Sequence, residues 1–394
     1  MARQFKIFVA ISDIHIGVKH ISAESMKRQL KKHFIDVIKQ MSIIDGIFVT
    51  GDILHSIISL NSDYSELYFW LIDQIYKIAQ EKGSTVIIIK GTRSHDNDQL
   101  NNIKHYQLNE DGVDFRIYER PEEIRIWDDY KVLVLPDVKV RDAKEIDELL
   151  TKKYDMILGH GTIEAMQFFI QESEESPMKT YIYDSDKLME CSRGPVIFGH
   201  IHQFQHLQNH FYYVGPFTLL ERGTTNPGFI IGGIYDKDRT KFKVEHYDNP
   251  DSPKYFEWII TKQMLSDYDA PELMGAIDEL LEDVGKNDLI TLRITRGDEL
   301  SASDKVMMIE SRYRADKRFS IIKKIKTKKE EEREIAAVEK KNRYSYVMDK
   351  SISLGKMLFR YYTEDVKPTI TDISSPLLTI TEEDFERALK PSSR

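Results

Sequence analysis

Apolar residues in the first 250 positions gather into short, nearly unbroken runs, and each run closes on a small polar cluster. The runs cover residues 5–11, 46–50, 85–90, 131–135, 154–158 and 196–198 and are rich in β-branched side chains, so they read as strands. Between several of them, residues 25–41 and 65–82 place apolar side chains three and four apart, the spacing of one helix face. Strands apolar on both faces that alternate with amphipathic helices predict an α/β fold around a sheet buried on both sides. The stretch Asn249-Pro250-Asp251-Ser252-Pro253 interrupts this rhythm and bounds a first domain at residues 1–250.

A second rhythm follows. Residues 255–261 alternate like a strand, 271–284 read as an amphipathic helix and 289–295 as another strand. Residues 301–317 read as a second helix and 318–325 as a third strand. That order predicts a smaller α/β module over residues 254–326. Residues 323–341 are dense in Lys and Glu, as in a solvated helix or linker. Apolar residues return at helical spacing over 346–362, and a short final helix is expected from Thr381, with Asp384 in capping-box position. Residues 327–394 are therefore a charged linker and helical tail. No internal repeat is visible.

Composition changes this picture little. A chain of 394 residues exceeds one compact core, and 41% hydrophobic with 31% charged residues is the balance of a soluble globular protein. No apolar run approaches the ~20 residues a membrane-spanning helix needs. Lys6, Ser12, Asp13 and His15 interrupt the first apolar stretch, so a strand is expected there rather than a secretory leader. The single cysteine, Cys191, excludes an internal disulfide framework and suits a reducing, cytoplasmic setting. A net charge of −9 does not advertise a nucleic-acid partner, yet an acidic total can conceal a local basic surface.

The chemistry lies in the polar clusters that close the strands. Asp13-Ile14-His15 follows the first, Gly51-Asp52 the second and His95-Asp96 the third, while Gly159-His160 and Gly199-His200-Ile201-His202 follow two later ones. Ligands of open α/β sheets bind at the carboxyl ends of strands, so these residues can converge on one site. Asp and His suit Mn²⁺, Zn²⁺ or Fe. Alternate residues on an extended segment point the same way, so Asp13 with His15, and His200 with His202, are each expected to hold one metal together. Asp52 is the natural carboxylate to bridge two ions, an arrangement that activates water and steadies charge at phosphorus.

In this order the motifs resemble those of the calcineurin-like metallophosphoesterase superfamily: Asp-x-His, Gly-Asp, Gly-Asn-His-Asp, Gly-His and Gly-His-x-His. Within it the chain looks like the SbcD-type DNA repair nucleases. Ile11-Ser12-Asp13-Ile14-His15-Ile16-Gly17 resembles their opening motif, and Gly51-Asp52-Ile53-Leu54-His55-Ser56 their second. The module over 254–326 sits where that family carries a DNA-capping domain. The resemblance implies a two-sheet sandwich flanked by helices and a metal-dependent exonuclease or endonuclease in DNA repair, recombination or replication. It implies two divalent ions, Mn²⁺ foremost and Mg²⁺ as the alternative. Asp13, His15, Asp52 and His202 would hold the first; Asp52, His160 and His200, with the family's asparagine, the second. It implies that His95 stabilises the transition state or protonates the leaving oxygen, with Asp96 orienting it. His55 becomes a substrate-side histidine or a structural one. It further implies a homodimer, and an SbcC-type coiled-coil ATPase docking on residues 346–362, in a prokaryotic or phage-infected cell.

The third motif departs from the family. It reads Gly91-Thr92-Arg93-Ser94-His95-Asp96, two residues longer; aligned on His-Asp, Ser94 replaces the asparagine. A serine, a water or another group of the longer loop would complete the second site, and Arg93 is a candidate phosphate contact. Further basic candidates are Lys19 and His20 near the ligand loops, and Arg312, Arg314, Lys317 and Arg318 on the second module. Two other functions fit the same residues: a phosphatase or phosphodiesterase acting on small molecules, and a non-catalytic scaffold with a degenerate second metal site.

Overall fold

The structure is a computed structural model that describes residues 5–108, 111–138, 143–164, 181–207, 210–221, 224, 226–286, 288–296, 304–316, 318–325 and 381. It is α/β, as the alternation of strands and helices predicts. The chain divides into two compact units, one built mainly on residues 1–257, the other mainly on 258–277 and 292–315.

The larger unit contains strands β1 (Phe5–Ile11), β2 (Gly46–Thr50), β3 (Thr85–Ile89), β4 (Phe115–Tyr118), β5 (Glu122–Ile126), β6 (Tyr130–Leu135) and β7 (Met156–His160). A two-residue ladder, β8 (Thr162–Ile163) with β9 (Ile182–Tyr183), precedes β10 (Val196–Gly199), β11 (Gln205–Leu207), β12 (Phe211–Tyr213), β13 (Gly228–Tyr235) and β14 (Phe242–Asp248). One six-stranded sheet has the order β14-β13-β1-β2-β3-β4, and a second has β11-β12-β10-β7-β6-β5. The neighbouring strands β1 through β4 are parallel, as are β6, β7, β10 and β12 in the second sheet, while β13, β14, β5 and β11 join by antiparallel pairs.

The unbroken apolar runs are explained by burial on two faces. In β1–β3, Val9, Ile11, Ile47, Val49, Val86 and Ile88 point into one cluster with Met26, Leu30, Leu71 and Ile75. These last four belong to α1 (Ala23–Leu30) and α3 (Asp63–Lys82). The alternate residues Phe8, Ala10, Phe48, Ile87 and Ile89 meet Val132, Val134, Met156, Leu158 and Ile197 of the other sheet. The two sheets thus share a core, a consequence of the two-residue side-chain period. The outer face of the second sheet is covered by Ile146 of α4 (Ala143–Leu149) and Leu188 of α5 (Ser185–Cys191).

Local chemistry sets the ends of α3. Ser62 accepts from the Ser65 N–H, and Gly83 closes the helix in the left-handed conformation. The helix expected over 25–41 is instead α1, a wider π turn at Lys31–Ile35, and the short α2 (Asp36–Gln40). The strand expected at 154–158 begins at Met156, because Tyr154 pairs with Ser192 and the Asp155 carboxylate is drawn to Lys131 N and Arg239. The expected runs do not include the later strands β11–β14 or the edge strands β4 and β5: β5 alternates with Glu and Arg, and β13, though apolar, carries two interior glycines.

The smaller module holds β15 (Tyr255–Ile260), β16 (Leu289–Arg296) and β17 (Phe319–Ile325) in the order β15-β16-β17. Its helices are Lys262–Asp267, Ala270–Leu281 and Asp304–Tyr313. The first of them is additional to the expected order. The tail expected over 327–394, including 346–362, lies outside the described residues except for Thr381. Among the described residues no helix is long and apolar enough to cross a membrane.

Candidate metal centre

Asp13 and His15 leave β1, Asp52 leaves β2, His95 lies on the loop after β3, His160 ends β7, and His200 and His202 follow β10. All stand at the carboxyl ends of parallel strands, drawn from both sheets. The fold gathers them into overlapping groups whose ligand atoms lie within 4.8 Å of one another: Asp13, His15 and His202; Asp52, His160 and His200; and His15, His55 and His95. The Asp52 carboxylate stands between the first two, with Oδ2 3.6 Å from His15 Nε2 and 3.3 Å from His160 Nε2.

Convergence does not come from extended strands. Asp13, His15, Asp52 and His200 have φ of 48°, 50°, 50° and 95°, in the left-handed region that L-residues seldom adopt. Such backbone is sustained where the surroundings over-determine it, and it clusters at functional sites. One consequence corrects the reading by alternation: His200 and His202 do not share a metal position. His202 Nε2 lies 3.7 Å from Asp13 Oδ1, whereas His200 joins Asp52 and His160. The turn at His200 sends the two rings apart.

Partners outside the ligand groups set the tautomers. His160 Nδ1 donates to the Thr50 carbonyl at 2.7 Å, which leaves Nε2 facing Asp52. His202 Nδ1 lies 2.6 Å from the Glu221 carboxylate. Such contacts orient imidazole ligands. The His200 N–H donates to both Asp13 oxygens at 3.0 Å.

Charge is compressed here. Burial raises Asp13 above the usual carboxylate range. Burial also opposes ionisation of Asp52, but His160, His15 and His95 hold it far below that range. Burial would depress His160, yet Asp52 and Asp13 lift it to about 10, while burial and the neighbouring His160 push His200 down to about 3. His15 is held well below its ordinary value, chiefly by burial, and its Nε2 is buried with no hydrogen-bond partner. An orphaned imidazole nitrogen facing two carboxylates, with nitrogen and oxygen donors all round, fits divalent cations of the Mn²⁺, Zn²⁺ and Fe type.

The third motif differs most from expectation. Asp96 does not orient His95. Its fully buried carboxylate accepts the N–H groups of Asp52 (3.0 Å), Leu54 (3.1 Å) and Gly91 (2.8 Å), so it ties two ligand loops together. Burial and the Asp52 charge raise it to about 6. His95 is oriented by a backbone group, the His55 carbonyl, 2.5 Å from Nδ1. The His55 ring lies with Nδ1 3.3 Å from His15 Nδ1. Ser94 and Arg93 are exposed. Thr92 is turned inward instead, a residue the sequence reading did not single out. Glu221 was likewise invisible there, because nothing near it in sequence marks it as a partner of His202.

The basic candidates are dispersed. His20 Nε2 lies 2.9 Å from the Leu219 carbonyl, Arg312 sits over the Tyr313 ring and Arg318 is forked to Asp316. Lys19 and Arg314 are exposed, and Lys317 lies outside the described residues.

Two glycines are required by the site. Gly51 has φ of 94°, and a Cβ there would stand 2.2 Å from His160 Nδ1; a Cβ on Gly91 would stand 2.1 Å from Asp52 Oδ1 and 2.2 Å from Asp52 N. Gly91→Ala is therefore expected to cost about 1–3 kcal/mol of stability, as overpacking does. A thermal or denaturant melt unchanged from the parent would show that the Asp52 loop yields freely.

Neither a protein family nor a curated protein matches the chain. Among solved structures it is similar to an uncharacterised protein, at 13% identity over 62% of this chain and 100% of the other, with a TM-score of 0.34. It is also similar to GAP50, the anchor in the inner membrane complex of Plasmodium, at 13% identity over 63% of this chain and 86% of the other, with a TM-score of 0.37. Likenesses this slight carry no weight for fold or activity.

Proposed function

We propose that this chain is a two-metal phosphodiesterase of the calcineurin-like metallophosphoesterase kind, and that its substrate is DNA, as for the SbcD-type nucleases it resembles. The position of Asp52 carries this reading: one carboxylate oxygen lies within 3.6 Å of His15 Nε2 and 3.3 Å of His160 Nε2, so a single group can serve two cations. Asp13, His15, Asp52 and His202 would hold the first, and Asp52, His160 and His200 the second, with Mn²⁺ the expected ion and Mg²⁺ the alternative. Bound there, two divalent cations supply Lewis acidity for in-line displacement at phosphorus. The pair of packed sheets with helices on their outer faces is consistent with the sandwich that this reading requires.

The chain's own residues supply the rest. The His55 carbonyl fixes the His95 ring through Nδ1–H, so that Nε2 of the imidazolium form could give its proton to the leaving oxygen or steady a phosphate oxygen, the ring returning to the neutral Nδ1–H tautomer. His55 lines the same side, and Arg93 is an exposed phosphate contact. DNA as the substrate is supported by the run Gly51–Ser56 and by the open side of the centre, where the His95 and His202 side chains keep 25% and 22% of their surface exposed. An SbcC-type ATPase on residues 346–362, a homodimer, and work in repair or recombination in a prokaryotic or phage-infected cytoplasm complete the proposal.

Purified protein with Mn²⁺ is expected to bind two ions per chain and to degrade DNA with defined ends. Hydrolysis of a small phosphodiester reporter without hydrolysis of single- or double-stranded DNA would assign the site to small molecules. Two bound ions with neither substrate cleaved would make the chain a scaffold.

A further inference from the structure

We propose that the Thr92 hydroxyl is the missing donor of the second metal position, and that Ser94 has no part in it. This rests on the two-metal reading above and names a ligand that it leaves open.

Thr92 Oγ1 lies 3.2 Å from Asp52 Oδ2, 3.3 Å from His160 Nε2 and 3.4 Å from His200 Nδ1. These are the three residues of the second ligand group. A hydroxyl has one proton and two acceptor lone pairs. It can donate to only one of the three at a time, which leaves lone-pair density available to a cation in the space they share. The backbone holds the group there: Thr92 N donates to Asp52 Oδ1 at 2.6 Å.

The loop explains why the extra residues do not displace it. The Thr92 carbonyl accepts from the N–H groups of His95 (2.9 Å) and Asp96 (3.1 Å), closing a turn directly after Thr92. Arg93 and Ser94 form the outer part of that turn and are exposed, while Thr92 is partly buried beside Gly91. The insertion therefore lies on the solvent side of Thr92. Counting back from His95-Asp96 aligns Ser94 with the family's asparagine, whereas counting forward from Gly91 aligns Thr92, and the fold selects the second. A neutral hydroxyl on a short side chain is a weaker donor than an amide oxygen, so the second ion is expected to be the looser of the two.

Ligand substitution tests this without reference to activity. In calorimetric Mn²⁺ titration of the full chain, Thr92→Val should weaken one of two ions by about tenfold or more and leave the other unchanged. Thr92→Asn should bind that ion at least as tightly as the parent. Thr92→Cys places a thiolate at the same point, and with Co²⁺ it should show a thiolate-to-metal absorption band that the parent and Ser94→Cys lack. That spectrum reports direct ligation, which a structural hydrogen bond would not produce. A band in Ser94→Cys but not Thr92→Cys, or unchanged two-ion binding in Thr92→Val, would overturn the assignment. A parent chain that binds no second ion would instead remove the two-metal reading on which it stands.

Discussion

Asp52→Asn is expected to weaken both ions and to lower DNA hydrolysis by more than about 100-fold, beyond the range seen when only a partner of a ligand is lost. The amide keeps the shape of the carboxylate and can still accept the Thr92 N–H, so the loop should hold. It removes the charge that faces His15, His160 and His95 at 3.6, 3.3 and 4.0 Å. A second signature is available in the metal-free protein. Burial alone would lower His160, and the Asp52 carboxylate is the chief group that lifts it to about 10. Without that charge burial prevails, and His160 should give up its proton at a much lower pH in an NMR titration. A variant that keeps two ions and activity within tenfold of the parent would refute the bridging role.

His95→Ala should behave differently: hydrolysis falls by at least about 100-fold, the usual contribution of a positioned acid or base, while both ions remain bound. His95 belongs to neither of the two groups that contain a carboxylate, and its Nδ1 is committed to the His55 carbonyl. What alanine removes is the Nε2 edge on the open flank of the centre. Full activity in this variant would end the role assigned to His95, and loss of an ion would recast it as a ligand.

Much of the fold can be read from the residues in order because burial on two faces leaves a plain mark. The strands around Val9, Phe48 and Ile87 are apolar at nearly every position, since one set of side chains meets α1 and α3 and the other meets the second sheet. Strands with only one covered face, or at an edge, leave a weaker mark; β5 and β14 alternate with charge and escaped notice. The strands Tyr255–Ile260, Leu289–Arg296 and Phe319–Ile325 were marked by alternation or short apolar runs, and the short helix Lys262–Asp267 was too brief to show a period.

The candidate centre divides in the same way. Residue type and position at strand ends were enough to collect Asp13, His15, Asp52, His95, His160, His200 and His202, because chemistry constrains both. Which of them face one another depends on backbone turns that no spacing rule describes. The left-handed turn at His200 sends that ring toward Asp52 and His160, while His202 faces Asp13. Asp96 works on three backbone N–H groups rather than on its neighbour, and Glu221 reaches His202 across a gap in sequence. Thr92 and Ser94 show the limit most clearly. Alignment on His95-Asp96 points to Ser94 and leaves Thr92 unmarked, whereas the fold puts the Thr92 hydroxyl beside Asp52, His160 and His200. The order of residues determined an α/β chain with a candidate ligand set of Asp and His side chains. Only the tertiary structure decided which atoms share a position, because that depends on the sign of a few backbone angles and on hydrogen bonds between distant loops.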